Sequence, residues 1–486
     1  MGGVAIKVVE TRLGIRDSFT RMPFRFGVVT MTAAAQATIA VTIEDAAGRR
    51  ATGWAADMLA YRWFDKRPEK TLADNVADLI AAIGIAEALY REQPAATPFG
   101  LWLATHAEIE RRCLAAGHNR LIACFGSSML ERGVIDALGR LTGRSYFDLV
   151  RADALGVDLG ATFPELAGRT VAEFLPARPA DRVHLRHTVG LVDPITAADV
   201  APGERLDDGL PQTLEDYLDH DGIAYLKLKV GGDLGADIAR LETIAGTMRT
   251  RPRAWAASLD GNEQYKKLDD FMALVDALKS RPALKPIADA ILFIEQPLDR
   301  AVALAPEVAP ALAALSRDWP VIIDESDGWV SAFREAIALG YRGTSHKNCK
   351  GIYKSLHNLA LARVLTERDP ARPLFLSAED LTVLPVVGLQ ADLASVALLG
   401  IAHVERNGHH YFRGLGHLGA AEKAAALAAH PDLYARRGDE AFLRIDKGQL
   451  AIGSLQCPGM GFAATPDLDA MTPAADWRFE RLGLGD

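Results

Sequence analysis

Apolar and polar residues alternate through VAIKVVETRL and again through ATIAVTIEDAAGRRATGWAA, with GRR at 48–50 supplying a turn. That period of two predicts an antiparallel sheet over the first 60 residues or so. From about 72 the period lengthens. ADNVADLIAAIGIAEALY, AEIERRCLAA and LERGVIDALGRLTG carry the pattern of helices up to about 150. Residues 1–165 therefore predict an α+β unit, and ARPADR at 177–182 reads as a linker.

From 183 the rhythm changes to short apolar runs, each followed by a helical stretch. VHLRHTVGL, IAYLKLKVGG, AWAASLDGN, AILFIEQPL, PVIIDES, YRGTSHKN, PLFLSAED and IAHVERN are eight candidate strands. Eight β-then-α units over 183–415 fit an α/β fold of the (β/α)8 barrel type better than a doubly wound sheet, which usually has five or six strands. No Gly-x-Gly-x-x-Gly or Walker loop opens a helix. Residues 416–486 hold helical AAEKAAALAAH and strand-like FLRIDKGQLAIGSL, which need not belong to a barrel.

Composition narrows the function classes. The 486 residues are 49% hydrophobic and 24% charged, which excludes disorder and collagen-like architecture. The net charge is −9 and no basic block occurs, so a small-molecule substrate is favoured over nucleic acid. Cys113, Cys124, Cys349 and Cys457 are scattered and read as reduced thiols. Glu10 and Arg12 precede any long apolar stretch, and no run of about 20 apolar residues predicts a membrane span. The expectation is a cytoplasmic protein with no membrane partner.

Catalytic residues of such barrels sit at the C-terminal ends of strands. Those ends are Lys227 and Lys229, Asp260 and Asn262, Glu295, Asp324 and Glu325, Lys347, Glu379 and Asp380, and His403, Glu405 and Asn407. Every strand from the second onward ends in an ionisable residue. Asp260, Glu295 and Asp324 are separated by 35 and 29 residues, one β/α unit each. Three carboxylates aimed at one point repel unless a cation neutralises them, and hard oxygen donors favour Mg²⁺ or Mn²⁺ over zinc. Lys227 and Lys229, two apart on a strand, share a face. At ~7 Å and an effective dielectric of about 20 they repel by about 2.4 kcal/mol, enough to neutralise one of them as a base. Lys347, on the sixth strand, lies across an eight-stranded ring from the second.

With these residues in view, the chain resembles the enolase superfamily, in its muconate-lactonizing-enzyme and mandelate-racemase branch. The motifs are Lys-x-Lys in YLKLKVGGD, Asp-x-Asn in LDGNE, FIEQPL, IDES, Lys-x-x-Lys in HKNCKGIYKS, PFRFG at 23–27, LERGVIDALGRLTGRSYFDLV and GQLAIGSLQCPGMGFAATPDLDAM. The resemblance implies a modified TIM barrel with an N-terminal α+β capping domain completed by the C-terminal segment. It implies Mg²⁺ on Asp260, Glu295 and Asp324, with Lys229 and Lys347 as acid and base on opposite faces of a carboxylate substrate. A homo-oligomer is implied as well. The reactions open to it are racemisation or epimerisation and cycloisomerisation, with acid-sugar-type dehydration, a metal-dependent hydrolase or a non-catalytic metal-binding barrel as alternatives. Strand six offers lysine where an aspartate of a His–Asp pair would stand, which disfavours a racemase using that pair. Gly351-Ile352 departs from the family's Gly-Gly.

In that family the N-terminal domain closes over the barrel mouth, which makes residues 14–28 the candidate lid. Arg21 and Arg25 are its candidates to meet an anionic substrate. Glu379, His403, Glu405, His409 and His410 are candidates for the opposite wall, with Asn262 and Glu325 beside the metal. His346 alternates away from the centre and reads as structural.

Overall fold

The computed structural model describes residues 3–26 and 29–485. Three strands, β1 (Ile6–Phe26), β2 (Val29–Asp45) and β3 (Arg50–Met58), form an antiparallel sheet. The turn before β3 is held by the Asp45 carboxylate, which accepts from the Ala47 and Arg49 amides. Against the sheet pack α1 (Leu72–Glu92), α2 (Pro98–Ala115) and α3 (Arg120–Thr142). Thr71, Thr97 and Asn119 each accept a first-turn amide with the side chain, fixing where these helices begin.

Helix α3 is buried along most of its length, against β2, β3, α1 and α2. Its one fully buried arginine, Arg132, is satisfied by the Ala56 carbonyl at 3.0 Å and the Asp57 carboxylate at 3.0 Å. Backbones meet where side chains are absent: a methyl at Gly53 would lie 2.1 Å from the Ala137 nitrogen and 2.4 Å from the Gly133 oxygen.

Beyond Arg182 all eight expected segments are strands: β4 (Arg182–Val189), β5 (Tyr225–Lys229), β6 (Ala256–Asp260), β7 (Ile291–Glu295), β8 (Val321–Ile323), β9 (Gly343–His346), β10 (Phe375–Ala378) and β11 (His403–Arg406). They are parallel neighbours in chain order from β4 to β10. Strand β11 returns to pair with β4, from His403↔His184 to Arg406↔His187. Between β10 and β11 the contacts run through side chains: Glu405 accepts the Asp380 amide at 2.9 Å, and Asp380 accepts the Asn407 amide at 3.0 Å. A helix separates each successive pair, as parallel neighbours require: α4 (Leu214–His220), α5 (Leu234–Arg249), α6 (Leu268–Ser280), α7 (Ala309–Leu315), α8 (Ala332–Leu339), α9 (Ile352–Arg368) and α10 (Val387–Leu399).

After β11 come α11 (Gly408–Tyr411), α12 (Ala420–Ala429), the hairpin β12 (Tyr434–Arg437) and β13 (Glu440–Leu443), then β14 (Ile445–Asp446) and β15 (Gln449–Ala451). Strand β15 adds antiparallel to β4, so part of the FLRIDKGQLAIGSL segment does join the eight-stranded sheet. The chain then returns to its start. The Met460 amide donates to Asp136 of α3 at 2.8 Å, and β16 (Thr472–Pro473) pairs with β1 at Gly14 and Ile15. Among the described residues, no helix is long and apolar enough to cross a membrane.

Candidate active site

The sheet's parallel register sets the site. Lys229↔Asp260 and Asp260↔Glu295 are paired positions on β5, β6 and β7, so a lysine and two carboxylates stand side by side at one end of the strands. Asp324 follows β8 directly and Lys347 follows β9. A small cavity of about 30 Å³ lies above them, lined by Lys229, Asn262, Lys347, Asp380, Leu381, Thr382, Glu405 and Asn407 from the strand ends. Its other wall is Phe24, Phe26 and Met31 from the β1–β2 hairpin, with Ala60 and Trp63 from the segment after β3.

Lysines and carboxylates are paired throughout. Lys229 Nζ donates to Asp260 Oδ2 at 2.5 Å. Lys347 Nζ donates to Asp324 Oδ2 at 2.7 Å and sits 4.5 Å from the centre of the Trp63 ring. Lys350 reaches the other oxygen of Asp324 at 3.0 Å. Burial works against the Lys347 ammonium, but the Asp324 charge outweighs it and holds the lysine well above its ordinary value. Burial would raise Asp324 too. Lys347 and Lys350 instead draw it well below the usual carboxylate range.

The expected repulsion between Lys227 and Lys229 is corrected by their surroundings. Both ammoniums do share a side, since each reaches Asp260 Oδ2. But Lys227 is only 1% exposed and lies among four carboxylates: Asp260 at 3.0 Å, Glu295 at 2.8 Å, Glu379 at 2.7 Å and Glu405 at 3.0 Å. Burial opposes its charge, and those four anions more than restore it, so its proton is held well above the ordinary lysine value. Lys227 does not face the cavity. Its place is beneath the floor, as the countercharge of the acidic ring.

Asp260, Glu295 and Asp324 offer the oxygen donors a hard dication takes, each being almost fully buried, but with Lys227 and Lys229 on Asp260 and Lys347 and Lys350 on Asp324 their oxygens do not all converge within 4.8 Å. Glu295 is pushed well above the usual carboxylate range by burial first, then by the negative charge of Asp260 and Glu379. Its Oε2, although 2.8 Å from Lys227 Nζ, accepts no hydrogen bond in good geometry. A dication bound there would relieve both conditions. Glu325, the neighbour of Asp324, is raised to about 7 by burial and by Glu263 and Asp324, and accepts from Asn262 Nδ2 at 3.3 Å.

Other expected residues fall elsewhere. Arg21 is locked on Asp208, with Nε to Oδ2 at 2.6 Å and Nη2 to Oδ1 at 2.8 Å, and does not line the cavity. Arg25 is exposed, because alternation along β1 turns Phe24 and Phe26 inward. The lid stretch, whose residues 27 and 28 lie outside the described residues, is therefore the far half of a strand and meets the site with aromatic rings. His403 is the first residue of β11, at the end away from the cavity, where its Nδ1 accepts from Arg186 Nη1 at 2.7 Å. Glu379 is buried between Lys227 and Arg186. His409 and His410 pack with His187 instead of lining the cavity. Asn262 and Glu405 do line it. His346 faces α9, its Nδ1 2.7 Å from Ser355 Oγ.

Trp63 and Met31 were not legible as site residues, and Phe24 and Phe26 only as part of the 14–28 lid stretch and the PFRFG motif. Trp63 is placed by Arg300, which donates to the Trp63 and Phe64 carbonyls at 2.8 and 2.9 Å while bonded to Glu263. The available signal was the aromatic cluster in YRWFDK just past a strand, which carries no periodicity of its own.

No protein-family model and no curated protein matches the sequence. Solved structures do match in fold. One is a dipeptide epimerase from Enterococcus faecalis V583 complexed with Mg and the dipeptide L-Leu-L-Tyr, with TM-score 0.58 and 15% identity over 94% of this chain and 99% of that one. Another is a mandelate racemase/muconate lactonizing protein from Herpetosiphon aurantiacus, with TM-score 0.57 and 16% identity over 95% and 99%. A third is 2-chloromuconate cycloisomerase from Rhodococcus opacus 1CP, with TM-score 0.56 and 16% identity over 94% and 96%. At these identities the likeness is one of fold, and this chain has the fold those proteins share.

Proposed function

We propose, from that fold and this site, that the chain is an enolase-superfamily enzyme that removes the α-proton of a carboxylate substrate. In this reading the eight strands close into a barrel and the N-terminal unit, completed by the C-terminal segment, is its cap. The observation that carries the proposal is that Lys229 and Lys347, four strands apart, line one cavity beside three buried carboxylates. Asp260, Glu295 and Asp324 are assigned Mg²⁺, which supplies positive charge where negative charge develops on the substrate. Lys229, acting as the free amine once its own proton has been given up, takes the proton from one face. Lys347, kept protonated by Asp324, gives one to the other, and the configuration at the α-carbon inverts.

Epimerisation or racemisation is favoured over cycloisomerisation by having a proton carrier on each face. Dehydration remains the second reading, because a protonated Lys347 also suits the departure of a β-hydroxyl. The aromatic hairpin bears on substrate entry. Phe24 and Phe26 wall this narrow cavity, so a carboxylate substrate has to pass them.

The test is solvent deuterium incorporation with Mg²⁺ in D₂O, using pooled dipeptides, N-acyl amino acids and acid sugars. The expected result is deuterium at an α-carbon, reduced about 100-fold or more in Lys229→Ala or Lys347→Ala. Metal-loaded protein with no exchange in any pool containing acids of these classes would count against enolate chemistry and in favour of a scaffold.

A further inference from the structure

Away from the lysines, three imidazoles meet: His187 on β4, and His409 and His410 on α11. One nitrogen of each lies within 4.8 Å of the other two, which no other group of three ligating side chains matches among the described residues. His187 Nδ1 and His409 Nε2 share a hydrogen bond at 3.1 Å, whose proton a metal ion would displace. The ring centres are 4.4 Å apart for His187 and His410, 4.7 Å for His409 and His410, and 5.1 Å for His187 and His409. Three imidazoles on a tetrahedral zinc, with Zn–N near 2.0–2.1 Å, hold their nitrogens about 3.3 Å and their ring centres roughly 5 Å apart. The cluster is already close to that shape.

Hydrogen bonding joins His187 to His409 and leaves His410 unpaired. His409 Nδ1 and both nitrogens of His410 have no partner, and His187 and His410 are each 2% exposed. The carboxylate facing His410 Nε2, Asp193, stands 3.9 Å off and is engaged by the Tyr411 hydroxyl at 2.5 Å and the Gly190 amide at 2.7 Å. Buried polar atoms are ordinarily paired, so the unpartnered His410 imidazole, beside the His187–His409 pair, points to a ligand.

We propose that His187, His409 and His410 bind a borderline transition-metal dication, Zn²⁺ above all, at a site separate from the carboxylates. Imidazole nitrogen suits zinc, nickel or copper and is a poor donor to Mg²⁺. A cavity of about 40 Å³ bordered by His409, Tyr217 and Gly408 gives water access to the His409 side of the cluster. The ion ties β4 to α11. Since α11 carries Tyr411, on which Phe24 stacks with ring centres 4.1 Å apart, the ion steadies the shelf beneath the hairpin.

The experiment uses untagged full-length protein, stripped of metal, reloaded with Zn²⁺ or Co²⁺ in the presence of millimolar Mg²⁺, and gel-filtered. The expected result is about one zinc per chain, and intense tetrahedral d–d absorption from the cobalt form. His409→Ala and His409→Gln are expected to retain at least tenfold less metal, while His220→Ala, an exposed histidine outside the cluster, retains it all. Folded wild type holding under about 0.1 equivalent, or undiminished zinc in both His409 variants, overturns the site. Where those variants fail to fold, the wild-type cobalt spectrum decides, and weak octahedral absorption overturns it equally.

Discussion

Lys227 shows how a single residue can be correctly located from sequence yet wrongly assigned a state. The Lys-x-Lys spacing gives the shared face, but the charge balance depends on Glu379 and Glu405, which arrive from β10 and β11, more than 150 residues away in sequence. Removing the central cation leaves buried carboxylates uncompensated. Lys227→Met is expected to lower stability by about 3–5 kcal/mol in urea titration, whereas Lys229→Ala, at the cavity wall, mainly abolishes exchange. His346 supplies a pH signature. Burial, with the Lys350 and Arg406 charges, depresses it to about 3. Between that value and the ordinary 6.5 the unfolded chain binds a proton that the folded chain refuses, so stability is lost as pH falls through this window. From pH 7.5 to 5.0 wild type should lose about 2 kcal/mol on this account, and His346→Gln should be spared that loss. Denaturant titrations of both proteins at the two pH values check it.

At the scale of elements, periodicity located α1, α3 and all eight strands of the parallel array, because each carries its apolar residues at the period of its own backbone. Periodicity was silent on the hairpin. Residues 14–28 read as a lid, and β1 extends through them as far as Phe26, paired with β2 and irregular between Phe19 and Phe24. That register turns Phe24 toward Tyr411 and the cavity, a fact that no property of the segment alone encodes. Phe24→Ala is expected to cost about 3 kcal/mol from lost burial, and to raise KM more than it lowers kcat because no proton carrier is touched. The seam between β3 and α3 is stiffer. A methyl at Gly53 meets backbone atoms that cannot rotate aside, so Gly53→Ala should cost about 3 kcal/mol, detected as a lower Tm.

For the whole molecule, the order of units could be read from the change of rhythm at 183, and the closing contacts could not. Pairing of β1 with β16 joins residues 14 and 473, and Asp17 holds both Trp477 Nε1 at 2.7 Å and Arg481 Nε at 2.9 Å. Hydrophobic pattern is a local quantity and carries nothing about partners this distant. Deleting residues 466–486 should leave the parallel strands protected and speed amide hydrogen exchange in β1, with a lower Tm. The same contacts bear on how the protein is made. β1 emerges from a ribosome long before β16, so Gly14 and Ile15 wait without that edge partner while the parallel strands are made. A chain stalled before residue 472 would leave this stretch of edge open to strand addition by other nascent chains, so synthesis of β16 covers part of an aggregation-prone edge as well as joining distant parts of the chain.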